Sequence, residues 1–133
     1  MNAPDRFELF LLQDGERKIK EEIYPGMANT SQFTIIKEDH TVANLLVSYL
    51  RKHPNVRFAA YKVPHPNVPE LFIRLQTDGT ISPKEAFVQT SQKIIAMLAK
   101  LDQNFTREFE LRRMVSAGDQ AGSTSATRGN YGY

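Results

Sequence analysis

Lys37-Glu38-Asp39-His40-Thr41-Val42-Ala43-Asn44-Leu45-Leu46 is the stretch on which the fold turns. Just before it, Phe33-Thr34-Ile35-Ile36 is apolar and β-branched, which suits a pleated sheet surface. Just after it begins, Val42, Leu45, Leu46, Tyr49 and Leu50 recur at helical spacing and form one apolar face. The charged cluster between the two marks a strand-to-helix transition. Asp39 or Thr41 offers a side-chain oxygen to the first-turn N–H groups, and Glu38 and Asp39 put negative charge at the positive end of the helix dipole. Arg51-Lys52-His53 suits the C-terminal end, and Pro54 stops the helix.

Downstream, residues 56–63 and 71–77 read as paired strands joined by a proline-stiffened loop, Pro64-His65-Pro66-Asn67-Val68-Pro69-Glu70. The second strand places Leu71, Ile73 and Leu75 on one face and Phe72, Arg74 and Gln76 on the other. Ser82-Pro83-Lys84-Glu85 has the order of a capping box: serine at N-cap, proline at N1, glutamate at N3. No proline or glycine follows until Gly118. Phe87, Ile94, Leu98, Leu101 and Phe105 continue the helical rhythm, widened by Ile95, Met97 and Phe109. A helix from Pro83 to about Val115 is about 50 Å long, whereas a compact domain of this size spans only about 35 Å. Its distal apolar residues, Leu101, Phe105 and Phe109, therefore need cover from another chain, unless the segment folds back as two shorter helices.

Upstream, Phe7 to Leu12 reads as a buried strand. Asp14-Gly15 is turn chemistry, Arg17 to Ile23 alternates weakly as a charged edge strand, and Pro25-Gly26 breaks it. Residues 1–115 are expected to form one α+β domain. Residues 116–133, rich in Gly, Ser, Thr and Ala, are expected to be a disordered tail, since they offer too little apolar surface to offset ordering entropy.

Composition narrows the function. The 133 residues fit a single domain, and a net charge of only +2 is too small to argue for nucleic acid by itself. The absence of cysteine excludes disulfides and thiolate chemistry. The opening lacks the basic flank and apolar core of a signal peptide, and no apolar run approaches the ~20 residues of a membrane span, so a soluble intracellular protein is expected. His40, His53 and His65 match no metal spacing, and no nucleophile or phosphate-loop motif occurs, so neither cofactor, metal nor catalytic residue is expected. Phe58 and Tyr61 alternate to opposite faces of their strand, which fits packing better than base stacking.

Two separated blocks, Lys37 to Leu46 and Phe58-Ala59-Ala60-Tyr61-Lys62-Val63-Pro64-His65-Pro66, together resemble the small alpha-like subunits of eukaryotic and archaeal RNA polymerases. The opening Met1-Asn2-Ala3-Pro4-Asp5-Arg6-Phe7-Glu8-Leu9-Phe10-Leu11-Leu12 resembles the fungal polymerase II version. The resemblance implies the alpha-like dimerisation fold: an antiparallel sheet of about four strands with two helices on one face, the C-terminal one long. It also implies a nuclear, non-catalytic scaffold that heterodimerises with a larger alpha-like subunit and holds the two largest polymerase subunits. Glu38, Asp39, His40, Thr41 and Asn44 match the family motif at the helix start; Phe58, Ala59, Ala60, Tyr61 and Lys62 match its second block. The partner interface is then expected to use Leu45, Leu46, Tyr49, Leu50, Phe87, Ile94, Leu98, Leu101, Phe105 and Phe109. Val42 stands where the family more often has leucine, and residues 19–31 and 116–133 depart from its pattern. Competing readings are the related subunit shared by polymerases I and III, a stand-alone nucleic-acid-binding module, and a small ligand-binding enzyme domain.

Overall fold

The structure is a computed structural model that describes residues 6–123, with side chains through residue 117. A short 3₁₀ helix, Arg6–Leu9, precedes β1 (Ile19–Ile23), β2 (Thr30–Ile36), α1 (His40–Leu50), β3 (Val56–Lys62), β4 (Glu70–Thr77) and α2 (Pro83–Ser123). The four strands form one antiparallel sheet in the order β1-β2-β4-β3. The chain divides into a unit ending at Ile94 and a second, helical unit beginning at Ile95.

Strict alternation in β4 builds the core of the first unit. Leu71, Ile73 and Leu75 are fully buried, and across the ladder they face Ile35, Phe33 and Ser31 of β2. Ala43, Val47 and Leu50 of α1 and Ala86 and Phe87 of α2 join the same cluster, so α1 and the first turns of α2 cover one face of the sheet. Phe33 and Phe87 stack with ring centroids 4.6 Å apart. Burying each large aliphatic side chain here contributes about 1.5–3 kcal/mol.

Local chemistry fixes the boundaries. Asp39 is the N-cap of α1 and accepts from the Thr41 N–H at 2.9 Å. Ser82 Oγ accepts from the Glu85 N–H at 3.1 Å, as expected of a capping serine. The Glu85 carboxylate accepts from Gln89 Nε2 at 3.3 Å instead of returning to Ser82, so only half of the expected box forms. The β4–α2 turn depends on Gly79, whose φ of +94° is open to glycine and strained for other residues.

The expected strand at Phe7 to Leu12 is not one. Arg6–Leu9 is a 3₁₀ helix, and Leu11 N–H donates to the Phe7 carbonyl at 2.9 Å. Phe7, Leu9, Phe10, Leu11 and Leu12 are all exposed. A short apolar run does not by itself distinguish strand from helical turn, and no sheet edge pairs with this one. At the other end, α2 continues past the expected boundary at residue 115 as far as Ser123. Once nucleated, a helix gains one hydrogen bond per added residue, and no proline intervenes to stop it. The remainder of the expected tail, 124–133, lies outside the described residues.

Candidate subunit interface

The Lys37 to Leu46 block organises one end of the sheet. Lys37 adopts a positive φ of 57°, an uncommon conformation for a non-glycine residue. Its N–H donates to the Pro69 carbonyl and its Nζ to the Glu8 carbonyl, linking the β3–β4 loop and the N-terminal segment. Lys18 Nζ donates to the Lys37 carbonyl at 3.0 Å and pairs with Glu38 at 2.7 Å. The Thr41 N–H and then its hydroxyl, both donating to Asp39, hold that carboxyl below its ordinary pKa.

His40 joins the two sequence blocks. Its Nδ1 lies 3.1 Å from the Tyr61 hydroxyl, and the rings meet edge to face. Ala59 is buried, and its carbonyl accepts from Arg51 Nε at 2.9 Å, tying β3 to the end of α1. Asn44 and Lys62 are exposed and Ala60 is half-buried. His65 Nδ1 accepts from the Asn67 N–H at 3.1 Å, and His53 Nε2 lies 3.2 Å from Gln89 Oε1. Among the described residues no group of His, Asp and Glu side chains is placed to hold a metal ion. No helix among them is long and apolar enough to cross a membrane.

The residues expected at an interface fall into two sets. Leu50, Phe87 and Ile94 are buried within the first unit, and Leu46 packs partly against its core. Leu45 is exposed, and half-buried Tyr49 has Lys52 Nζ 5.2 Å from its ring centroid. In the second unit, Leu98, Leu101, Phe105 and Phe109 are uncovered; Leu98 is 53% and Phe105 69% exposed. Their steps of three and four residues set them in one stripe along the helix. Phe105 and Phe109 stack with centroids 6.1 Å apart.

Sequence reasoning missed a further apolar surface in the first unit. Ile19 and Ile23 of β1 pair with Ile35 and Ser31, so they stand on the core side of the sheet. Neither is buried, and Ile23 is 84% exposed. A groove of about 610 Å³ lies there, walled by Ile19, Glu21, Phe33, Lys84, Phe87 and Val88. The four-residue interval between the isoleucines was visible, but which sheet face they occupy depends on register.

The first unit carries an open groove lined by both apolar and charged side chains and a helix-start motif that ties several segments together, and the second unit carries an uncovered apolar stripe. The family model for the RNA polymerase Rpb3/Rpb11 dimerisation domain matches residues 30–104. DNA-directed RNA polymerase II subunit rpb11 of Dictyostelium discoideum is 37% identical over 116 residues, covering 87% of this chain and 97% of that protein. Its Schizosaccharomyces pombe counterpart is 39% identical over 118 residues, covering 89% and 95%. The crystal structure of DNA-directed RNA polymerase subunit L from Thermoplasma acidophilum superposes with a TM-score of 0.60 at 20% identity. It covers 74% of this chain and 96% of that one, and supports the fold. The matched span contains both sequence blocks, every buried core residue and the proximal part of the apolar stripe; the chain belongs to the Rpb3/Rpb11 dimerisation-domain family of RNA polymerase subunits.

Proposed function

We propose that this chain is a non-catalytic assembly subunit of DNA-directed RNA polymerase II. It heterodimerises with the larger alpha-like subunit, helps hold the two largest subunits, and acts in the nucleus. The observation that carries this reading is the apolar stripe at Leu98, Leu101, Phe105 and Phe109, uncovered in a chain whose relatives are named as polymerase II subunits. In the second unit these four supply contact area, and in the first unit Leu45 does so while Leu50, Phe87 and Ile94 are buried in the core. The assignment to polymerase II over the subunit shared by polymerases I and III rests on the names of the relatives.

Co-expression with the larger alpha-like subunit is expected to yield a 1:1 complex, and an affinity-tagged chain should bring down the two largest polymerase II subunits from nuclear extract. Leu98→Asp should disrupt pairing, because it buries an unpaired charge. A chain that ignores that partner, or that brings down the largest subunits of polymerases I and III, contradicts the assignment.

A further inference from the structure

The sheet has a second face. The helix residues in the core cluster all pack on the side bearing Leu71, Ile73 and Leu75, and the even-numbered residues of β4, Gln32 and Thr34 of β2, and Phe58, Ala60 and Lys62 of β3 face away from them. A register shift in β3 between Val56 and Phe58 is responsible for part of this face. Val56 packs towards the core, yet Phe58, two residues on, stands opposite Gln76 on the other side. Ala60 lies beside Arg74, and Lys62 beside Phe72.

The small Ala60 side chain leaves a hollow of about 390 Å³ walled by Gln32, Phe58, Lys62, Phe72 and Arg74. Its lining is mostly apolar, but it contains a cation with unused capacity. The Arg74 guanidinium lies 3.8 Å over the Tyr24 ring, and its buried Nε–H has no acceptor. No carboxylate pairs with Arg74 or Lys62 among the described residues. An arginine stacked on an aromatic ring is held in place while its in-plane donors stay free for a carboxylate.

We propose that this hollow docks an extended acidic–apolar segment of another protein. One carboxylate meets Arg74 and Lys62, and a neighbouring apolar side chain sits over Ala60 between Phe58 and Phe72. Charge selects this occupant over nucleic acid. Lys20, Lys62 and Arg74 on this face are nearly balanced by Glu22 and Glu70, leaving too few surplus cations to hold a phosphate backbone. One unpaired guanidinium beside one apolar hollow fits one acid beside one apolar side chain. The site is on the sheet face opposite the core cluster and is independent of the dimer reading.

The test uses the full chain and a short fluorescent peptide alternating aspartate with phenylalanine and leucine, followed by anisotropy. Saturable binding is expected, weakening as salt is raised. Arg74→Gln should weaken it about tenfold or more, as expected for loss of a charge-assisted hydrogen bond. Ala60→Trp, which fills the hollow, should do the same without lowering the melting temperature. A matched peptide with lysine for aspartate, and an oligouridylate RNA, should not bind. Absence of saturable peptide binding, equal binding by both variants, or binding of RNA in place of the peptide overturns the proposal. None of these results bears on helix-side pairing, which Leu98→Asp reads separately.

Discussion

Truncating Phe105 to alanine isolates the contribution of one uncovered side chain. Phe105 is 69% exposed in this chain. Since a phenylalanine buries about 150–250 Å² when fully covered, roughly 140 Å² of it remains open to a partner. At about 25 cal/mol per Å², complete coverage contributes about 3.5 kcal/mol. Alanine retains the Cβ share, so Phe105→Ala should cost about 2 kcal/mol of association, or roughly thirtyfold in Kd. The isolated chain should not suffer, because alanine is the better helix former and no core contact is lost. Isothermal titration of the larger alpha-like subunit into wild type and variant, with thermal melts of each chain alone, separates the two effects. Because Phe105 and Phe109 stack, the double alanine variant should depart from the sum of the singles. An affinity unchanged within about twofold for both single variants would refute the reasoning.

Three further outcomes test the fold beneath the interface. Ile73→Ala empties a fully buried position in the central strand and should cost about 2–5 kcal/mol, read from the urea midpoint. Gly79→Ala should lower stability by about 1–2 kcal/mol, since an L-residue is strained at φ +94° and the new Cβ would lie 2.7 Å from Asn29 Nδ2, forcing that side chain aside. Asp39 is held below its ordinary pKa by Thr41, and Asp78 is held below it by the Thr80 hydroxyl and then the Thr80 N–H. A carboxyl whose folded pKa is depressed adds stability above its unfolded pKa of about 3.9 and loses it as pH falls through the folded value. Melting temperature should therefore fall on acidification below about pH 4, and less steeply in an Asp39→Asn, Asp78→Asn double variant.

Much of the fold was legible because local and tertiary demands agree. Alternation across Leu71, Ile73 and Leu75, the Asp39 cap and the Ser82-Pro83 start each specify one local structure, and the core uses it. Other features depended on context that the chain order does not carry. The length of the long helix set Leu101, Phe105 and Phe109 apart as uncovered, but helical spacing alone could not tell that Leu50, Phe87 and Ile94 fill their own core whereas Leu98 does not. The Phe7 to Leu12 run has the hydrophobicity of a strand but begins as a 3₁₀ helix and joins neither open edge of the sheet. The register shift that brings Phe58 onto the face of Phe72 has no sequence signature, and a one-residue slip reverses every side chain beyond it. Ile19 and Ile23 were visible as an edge strand, and their place beside the Phe33–Phe87 stack followed only from the β1–β2 register.

Photo-crosslinking tests most directly whether the stripe is covered by a second subunit. A photoreactive phenylalanine analogue replacing Phe105 in the tagged chain should crosslink to the larger alpha-like subunit in nuclear extract. The same analogue replacing Gln103, nearly half a turn away around the helix, should not. Absence of any crosslink from position 105, or a crosslink from position 103 alone, would contradict a helix whose apolar stripe is completed by its partner.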